Sequence, residues 1–237
     1  LIFTAGWLVL LILSIYNILI QRFSSKSRVL VASTLLVLLS FPVFFAFDRG
    51  NFAGYVAAFC IFSIYFYTKN DFKKSVIFII MAASLKLTPI LFIGIYVLDK
   101  RWRLSAYTIA SFIALILASS LLLKVFFIPT YDLSTFMDGL NLYYKGYIIG
   151  NGGWAFGVSL FGLIKSIFLL SPITNINDYY NSIREIIPIY NITIFAISVL
   201  SAFLLLTKKS SITQRVTIIV CWLLFTPHVM AEYYLIL

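Results

Sequence analysis

Residues Ser75 to Leu98 read SVIFIIMAASLKLTPILFIGIYVL, an apolar run long enough to cross a bilayer, with Lys86 near its middle and Pro89 just beyond. A lone ammonium at the bilayer centre costs roughly 3 kcal/mol on insertion scales, so such a lysine normally faces protein, water or a ligand. The flanks constrain the stretch further. Lys69-Asn70-Asp71-Phe72-Lys73-Lys74 precedes it and Asp99-Lys100-Arg101-Trp102-Arg103 follows it. Both clusters read as cytoplasmic, because lysine and arginine in short loops beside membrane segments mark that side. One crossing cannot begin and end on the same side. The stretch is therefore expected to form two short helices, 75–85 and 89–98, folded as a hairpin or re-entrant pair with Lys86-Leu87-Thr88-Pro89 near the outer face. Proline suits the start of the second helix because it has no N–H to leave unpaired in a first turn.

The rest of the chain belongs to the same class. Of its 237 residues, 62% are hydrophobic and 11% charged, whereas a water-soluble domain is about one-quarter charged. The expected architecture is an all-α, polytopic transmembrane helical bundle with re-entrant or broken helices, forming one transmembrane domain over residues 1–237. The net charge of +10 does not point to nucleic acid, since the basic residues sit in short clusters between apolar runs rather than along one polar face. Cys60 and Cys221 lie inside apolar runs without ligand spacing, so neither a metal site nor a disulfide is expected. The chain opens at Leu1 inside an apolar run and stops at Leu237 in mid-pattern, and it reads as a fragment of a longer chain.

Spans are expected at 1–20, 29–47, 52–67, 104–127, 186–207 and 216–230. The stretches 129–153 and 171–185 are read as outer loops, and the apolar piece 154–170 between them as re-entrant or interfacial. In this arrangement the inner loops take twelve basic residues and two acids, and therefore the whole net charge of +10. The remaining basic and acidic residues balance, as the orientation rule requires. Asp48-Arg49-Gly50-Asn51, Lys86, the 129–153 loop, His228 and Glu232 are far apart in sequence, yet all fall in the outer half. Ionisable groups at that depth are tolerated where they line a cavity or are buried in protein. One outward-facing polar site is inferred, in which Arg49 and Lys86 suit a phosphate or pyrophosphate group.

Each candidate has a plainer reading beside it. Arg49-Gly50-Asn51 also suits a tight turn, and Lys86 also suits snorkelling to the interface or an ion pair with a neighbouring acid such as Asp48. His228 caps or packs the end of a span, or contacts substrate or relays a proton, which its titration near neutral pH favours. Glu232 pairs with a base or binds the acceptor. Most tyrosines and tryptophans fit an interfacial belt, although Tyr143, Tyr144, Tyr147 and Trp154 also fit stacking on a sugar ring. Gly150-Asn151-Gly152-Gly153 lacks nucleotide-binding spacing and reads as a loop turn.

Taken together, Arg49-Gly50-Asn51 opening an apolar helix, a basic loop, AASLKLTPILFIGIYVL ending in DKRWR, Gly150-Asn151 before a helix, and Thr226-Pro227 followed by Glu232-Tyr233-Tyr234-Leu235 resemble the membrane glycosyltransferases of family 87, which have the GT-C fold. The resemblance runs from about residue 29 to the end. It implies an integral enzyme of the cell membrane that moves a hexose, typically mannose, from a polyprenyl-phosphate donor to a lipid or glycan acceptor on the extracytoplasmic side. By position it gives donor binding to Arg49, Asn51 and Lys86. It places the catalytic aspartate in a first outer loop, which would precede Leu1. No metal or other cofactor is expected, since a lipid phosphate is the leaving group.

Two other classes compete with this reading. A polyprenyl-linked glycan flippase or other transporter also uses broken helices around a midplane cation, but it predicts polar residues continuing to the cytoplasmic side and internal pseudo-symmetry. An assembly subunit without chemistry leaves Lys86 unexplained.

Overall fold

The computed structural model describes residues 2–43, 52–126, 133–150, 159–170, 176–207, 210–226 and 228. The fold is helical, with no strand among these residues. Two helices are long and apolar enough to cross a membrane by length and composition, Trp102–Phe126 and Asn177–Thr207; Ala5–Leu19, Ala53–Thr68, Thr88–Leu98 and Ile212–Phe225 are shorter apolar helices. Backbone contacts divide the described residues into two compact units, one of those within 2–97 and 101–112, the other of those within 98–100 and 113–228.

In the first unit, helix α1 (Ile2–Leu19) packs against α2 (Lys26–Leu38) and α3 (Ala53–Thr68), and α3 packs in turn against α4 (Phe72–Leu85). The α1–α3 crossing is close because one face of α3 carries only small residues, Ala53, Gly54, Ala57 and Ala58, all buried. Small residues four apart let helix backbones approach. Here they make room for Trp7, whose indole is fully buried against Gly54. The expected span 29–47 is shorter in the described residues: α2 closes at Leu38 with Leu39 as its C-cap, and 44–47 lie outside them.

Turn chemistry sets the next two corners. Asn70 and Lys100 both take left-handed backbone, with φ of 59° and 58°. In each case the following amide reaches back five residues, Asp71 N–H to the Phe66 carbonyl at 2.9 Å and Arg101 N–H to the Tyr96 carbonyl at 2.8 Å. This is the Schellman closure, which satisfies carbonyls that a helix end leaves open. Asp71 then serves as N-cap of α4, its carboxylate accepting from the Lys74 N–H at 3.3 Å.

The stretch beyond α4 folds as expected. A 3-10 turn (Thr88–Ile93) and α5 (Gly94–Leu98) follow the break, with Pro89 buried in the first turn and the 3-10 turn packed on α4. Tyr96 and Ser75, near the two ends of the stretch, share a hydrogen bond of 2.7 Å. A continuous helix of that length would hold them roughly 30 Å apart, so the hairpin is closed. Ser63 and Ser75 exchange hydrogen bonds to each other's carbonyls at 2.9 Å and tie α3 to the same point.

The long helix α6 (Trp102–Phe126) follows. In the second unit the stretch 129–153, read above as a loop, contains instead α7 (Leu133–Tyr143) and a π-helical turn (Tyr144–Ile149). Next come α8 (Leu160–Leu170), α9 (Ile176–Thr207) and α10 (Ile212–Phe225). The expected loop 171–185 is also corrected, since residues 176–185 form the first turns of α9. Tyr179, Ile183, Ile187 and Tyr190 are buried in one core with Phe161 and Ile149. Their spacing is that of one helix face, and it carries the helix through the charged residues between them. Pro188 lies inside α9. α10 begins on a capping box, with Ser211 and Gln214 each bonding the other's backbone N–H.

Candidate functional site

Of the expected site residues, Lys86 lies in the first unit and His228 in the second, while Arg49, Asn51 and Glu232 lie outside the described residues. Lys86 is the C-cap of α4. Its backbone is extended, with φ −150° and ψ 138°, and its N–H still bonds the Ala82 carbonyl at 3.1 Å. The helix therefore ends at the lysine itself, and the side chain is half-buried at the corner of the hairpin. A cation at a helix C-terminus sits at the negative end of the peptide dipoles, which eases its burial. The extended backbone turns the following residues away from the α4 axis.

His228 sits at the far end of α10. Its ring packs edge-on against Phe161 at a centroid distance of 4.8 Å and tilted against Tyr190 at 5.6 Å. The Ser159 hydroxyl donates to the His228 carbonyl at 2.8 Å, and the Tyr190 hydroxyl donates to the Phe225 carbonyl. Nε2 of His228 is buried with no hydrogen-bond partner among the described residues. An imidazole fixed in this way presents one nitrogen for a donor or an acceptor.

A second buried cation, Lys165, was not among the expected site residues. Its side chain is 1% exposed, and its ammonium donates to the carbonyls of Tyr147, Ile148 and Gly150 at 3.1, 3.0 and 2.7 Å. All three N–H groups are thereby used. Lys165 closes the C-terminal end of the π-helical turn, where open carbonyls favour a cation. Gly150 is needed there, since a Cβ would meet the Gly146 carbonyl oxygen at 2.6 Å. Lys165 stands one turn from Phe161 on α8, so the same face of α8 carries the His228 contact and the lysine. The sequence signal was a lysine inside an apolar helix, the feature that marked Lys86.

Within the second unit the opposite end of α10 holds an ion pair. Arg215 bonds Asp99 through Nη1, and it donates to the Ser210 hydroxyl and carbonyl, both at 2.9 Å. Among the described residues no group of three or more His, Cys, Asp or Glu side chains is placed to hold a metal ion. The sequence model of glycosyltransferase family 87 matches residues 1–227. No curated protein and no solved structure matches the chain.

Proposed function

The chain belongs to glycosyltransferase family 87, and on that premise we propose that it transfers a hexose, specifically mannose, from a polyprenyl-phosphate donor to a lipid or glycan acceptor on the extracytoplasmic side of the cell membrane. In this reading the protein is a multi-pass, GT-C-like bundle. The observation that carries it is the break in the 75–98 stretch, which ends α4 at Lys86.

The chemistry asks for such a group. The acceptor hydroxyl oxygen forms a bond to the anomeric carbon while the bond from that carbon to the phosphate oxygen breaks. The hydroxyl proton passes to a carboxylate base, and negative charge gathers on the departing lipid phosphate. A fixed cation beside that phosphate stabilises the transition state more than the ground state. We assign this role to Lys86, with Arg49 and Asn51 holding the remaining phosphate oxygens and the sugar. His228 and Glu232 are assigned to substrate contacts on the acceptor side, and for His228 the buried Nε2, without a hydrogen-bond partner among the described residues, supports the assignment.

The test is transfer of labelled mannose from polyprenyl-phosphate-mannose to membrane lipids, with the complete protein made at matched levels carrying either Lys86 or Lys86→Ala. Loss of one oxyanion-stabilising group lowers kcat by about 100- to 1,000-fold. Transfer by Lys86→Ala within about threefold of the unaltered protein would reduce the lysine to a structural part. Absence of transfer by both proteins would overturn mannose as the donor sugar.

A further inference from the structure

We propose that Tyr143 and Tyr147 form a stacking platform for a neutral sugar ring of the acceptor glycan, with Lys165 as the residue that positions it. This rests on the glycosyltransferase reading above and names a subsite for it. The two phenol rings stack with centroids 5.2 Å apart and 21° between planes. They remain 44% and 47% exposed, with Tyr144 between them at 38%. Among the described residues, a Cβ on Gly139 or Gly146 would meet nothing within 4 Å. Pyranose rings present a face of C–H groups, which packs on the electron-rich face of an aromatic ring.

The support beneath the rings distinguishes this pair from tyrosines scattered at headgroup depth. The π-helical turn carries Tyr144 to Ile149, and such turns recur at functional sites. The Tyr147 carbonyl accepts from the buried Lys165 ammonium, as do those of Ile148 and Gly150. A buried charge is expensive unless its partners are complete. Here a complete set holds an exposed segment in one conformation, so the platform ring is ordered before the sugar arrives and little is lost on binding. Because all three ammonium protons are already committed, Lys165 has none left for a phosphate oxygen. The platform therefore suits an uncharged acceptor ring rather than the anionic donor.

The experiment uses the complete protein in detergent micelles. Binding of mannotriose and of maltotriose is followed by saturation-transfer NMR without donor, and the acceptor KM is measured separately wherever transfer is detected. Tyr147→Leu keeps apolar bulk for a bilayer interface but removes the ring; Tyr147→Phe keeps the ring. The leucine variant is expected to weaken trisaccharide binding and raise the acceptor KM by about 3- to 10-fold, as loss of one aromatic contact implies. The donor KM should stay within about twofold and the phenylalanine variant should retain binding. Lys165→Met is expected to reproduce the binding loss; if it fails to fold, the tyrosine variants decide alone. Equal binding of both trisaccharides by the leucine variant and the unaltered protein would overturn the platform, as would equal loss in the leucine and phenylalanine variants. The binding measurement needs no mannose donor, so its outcome stands whether or not mannose is transferred.

Discussion

Gly54→Ala probes the contact that sets the α1–α3 distance. A Cβ on Gly54 would lie 1.9 Å from Cε3, 2.2 Å from Cδ2 and 2.6 Å from Cζ3 of Trp7, an indole at 0% exposure. Carbon atoms in contact sit about 3.5–4.0 Å apart, so ring and helix must separate by roughly 1.5 Å. Alanine favours the helix over glycine by about 1 kcal/mol, while forcing extra volume into a packed core costs about 1–3 kcal/mol and more where the obstruction is rigid. Three ring atoms of a fused bicycle are obstructed, which places this case at the high end and the net loss near about 2 kcal/mol. Cys60, fully buried on the same helix, reports the opening. In a Cys221→Ser background, labelling of Cys60 by a membrane-permeant maleimide should accelerate about 30-fold, the factor that about 2 kcal/mol represents. Trp7→Phe should restore part of the loss in the double variant and little in the Gly54 background, which is the signature of direct coupling. Labelling of Gly54→Ala at or below the parental rate would refute the close crossing.

Two further outcomes follow from the loops. The side chain and backbone N–H of Lys74 hold the Asp71 carboxyl below its ordinary value near 3.8, so the stability it contributes is fully present above that value and is lost as pH falls through the lowered folded value. Asp71→Asn should flatten this acid-side loss, read as the thermal unfolding midpoint at pH values below about 4. Arg215→Ala, which removes the guanidinium bonded to Asp99 and opens the Ser210 contacts, should lower stability by about 2 kcal/mol, with Arg215→Lys recovering little because it lacks the fork that reaches all three oxygens; thermal inactivation of transfer checks both.

The hairpin was legible because its signals are local. A charge in an apolar run, a proline just beyond it and basic clusters on both flanks together exclude a straight span. Lys165 carried the same charge signal in LFGLIKSIFLL, but its partners are backbone carbonyls from a different element. No side-chain pattern marks those. The start of α9 was missed for a different reason: Asp178, Arg184 and Glu185 suggested a loop, while Tyr179, Ile183, Ile187 and Tyr190 held a helical face between them. Composition outweighed periodicity in that reading, and the packing against Phe161 reverses the order. Gly54 was unremarkable in sequence, because only the opposing indole gives a missing Cβ its meaning.

The second unit holds charge in two different ways along α10. A helix of 14 residues is about 21 Å long, so its two ends lie in different surroundings. At the first turn Arg215 pairs with Asp99, joining residues from two of the basic stretches, 99–103 and 208–215, that the charge pattern assigns to one side. At the last turn the Phe225 carbonyl takes the Tyr190 hydroxyl, and His228 lies against Phe161 on the helix that also carries Lys165. Charge at that end is compensated by backbone carbonyls rather than by carboxylates. A lysine saturated by carbonyls needs no solvated counter-ion and can sit below an interface, whereas a partly exposed arginine–aspartate pair is suited to its edge. The two ends of α10 therefore differ in how charge is held, by a carboxylate at the first turn and by backbone carbonyls near the last.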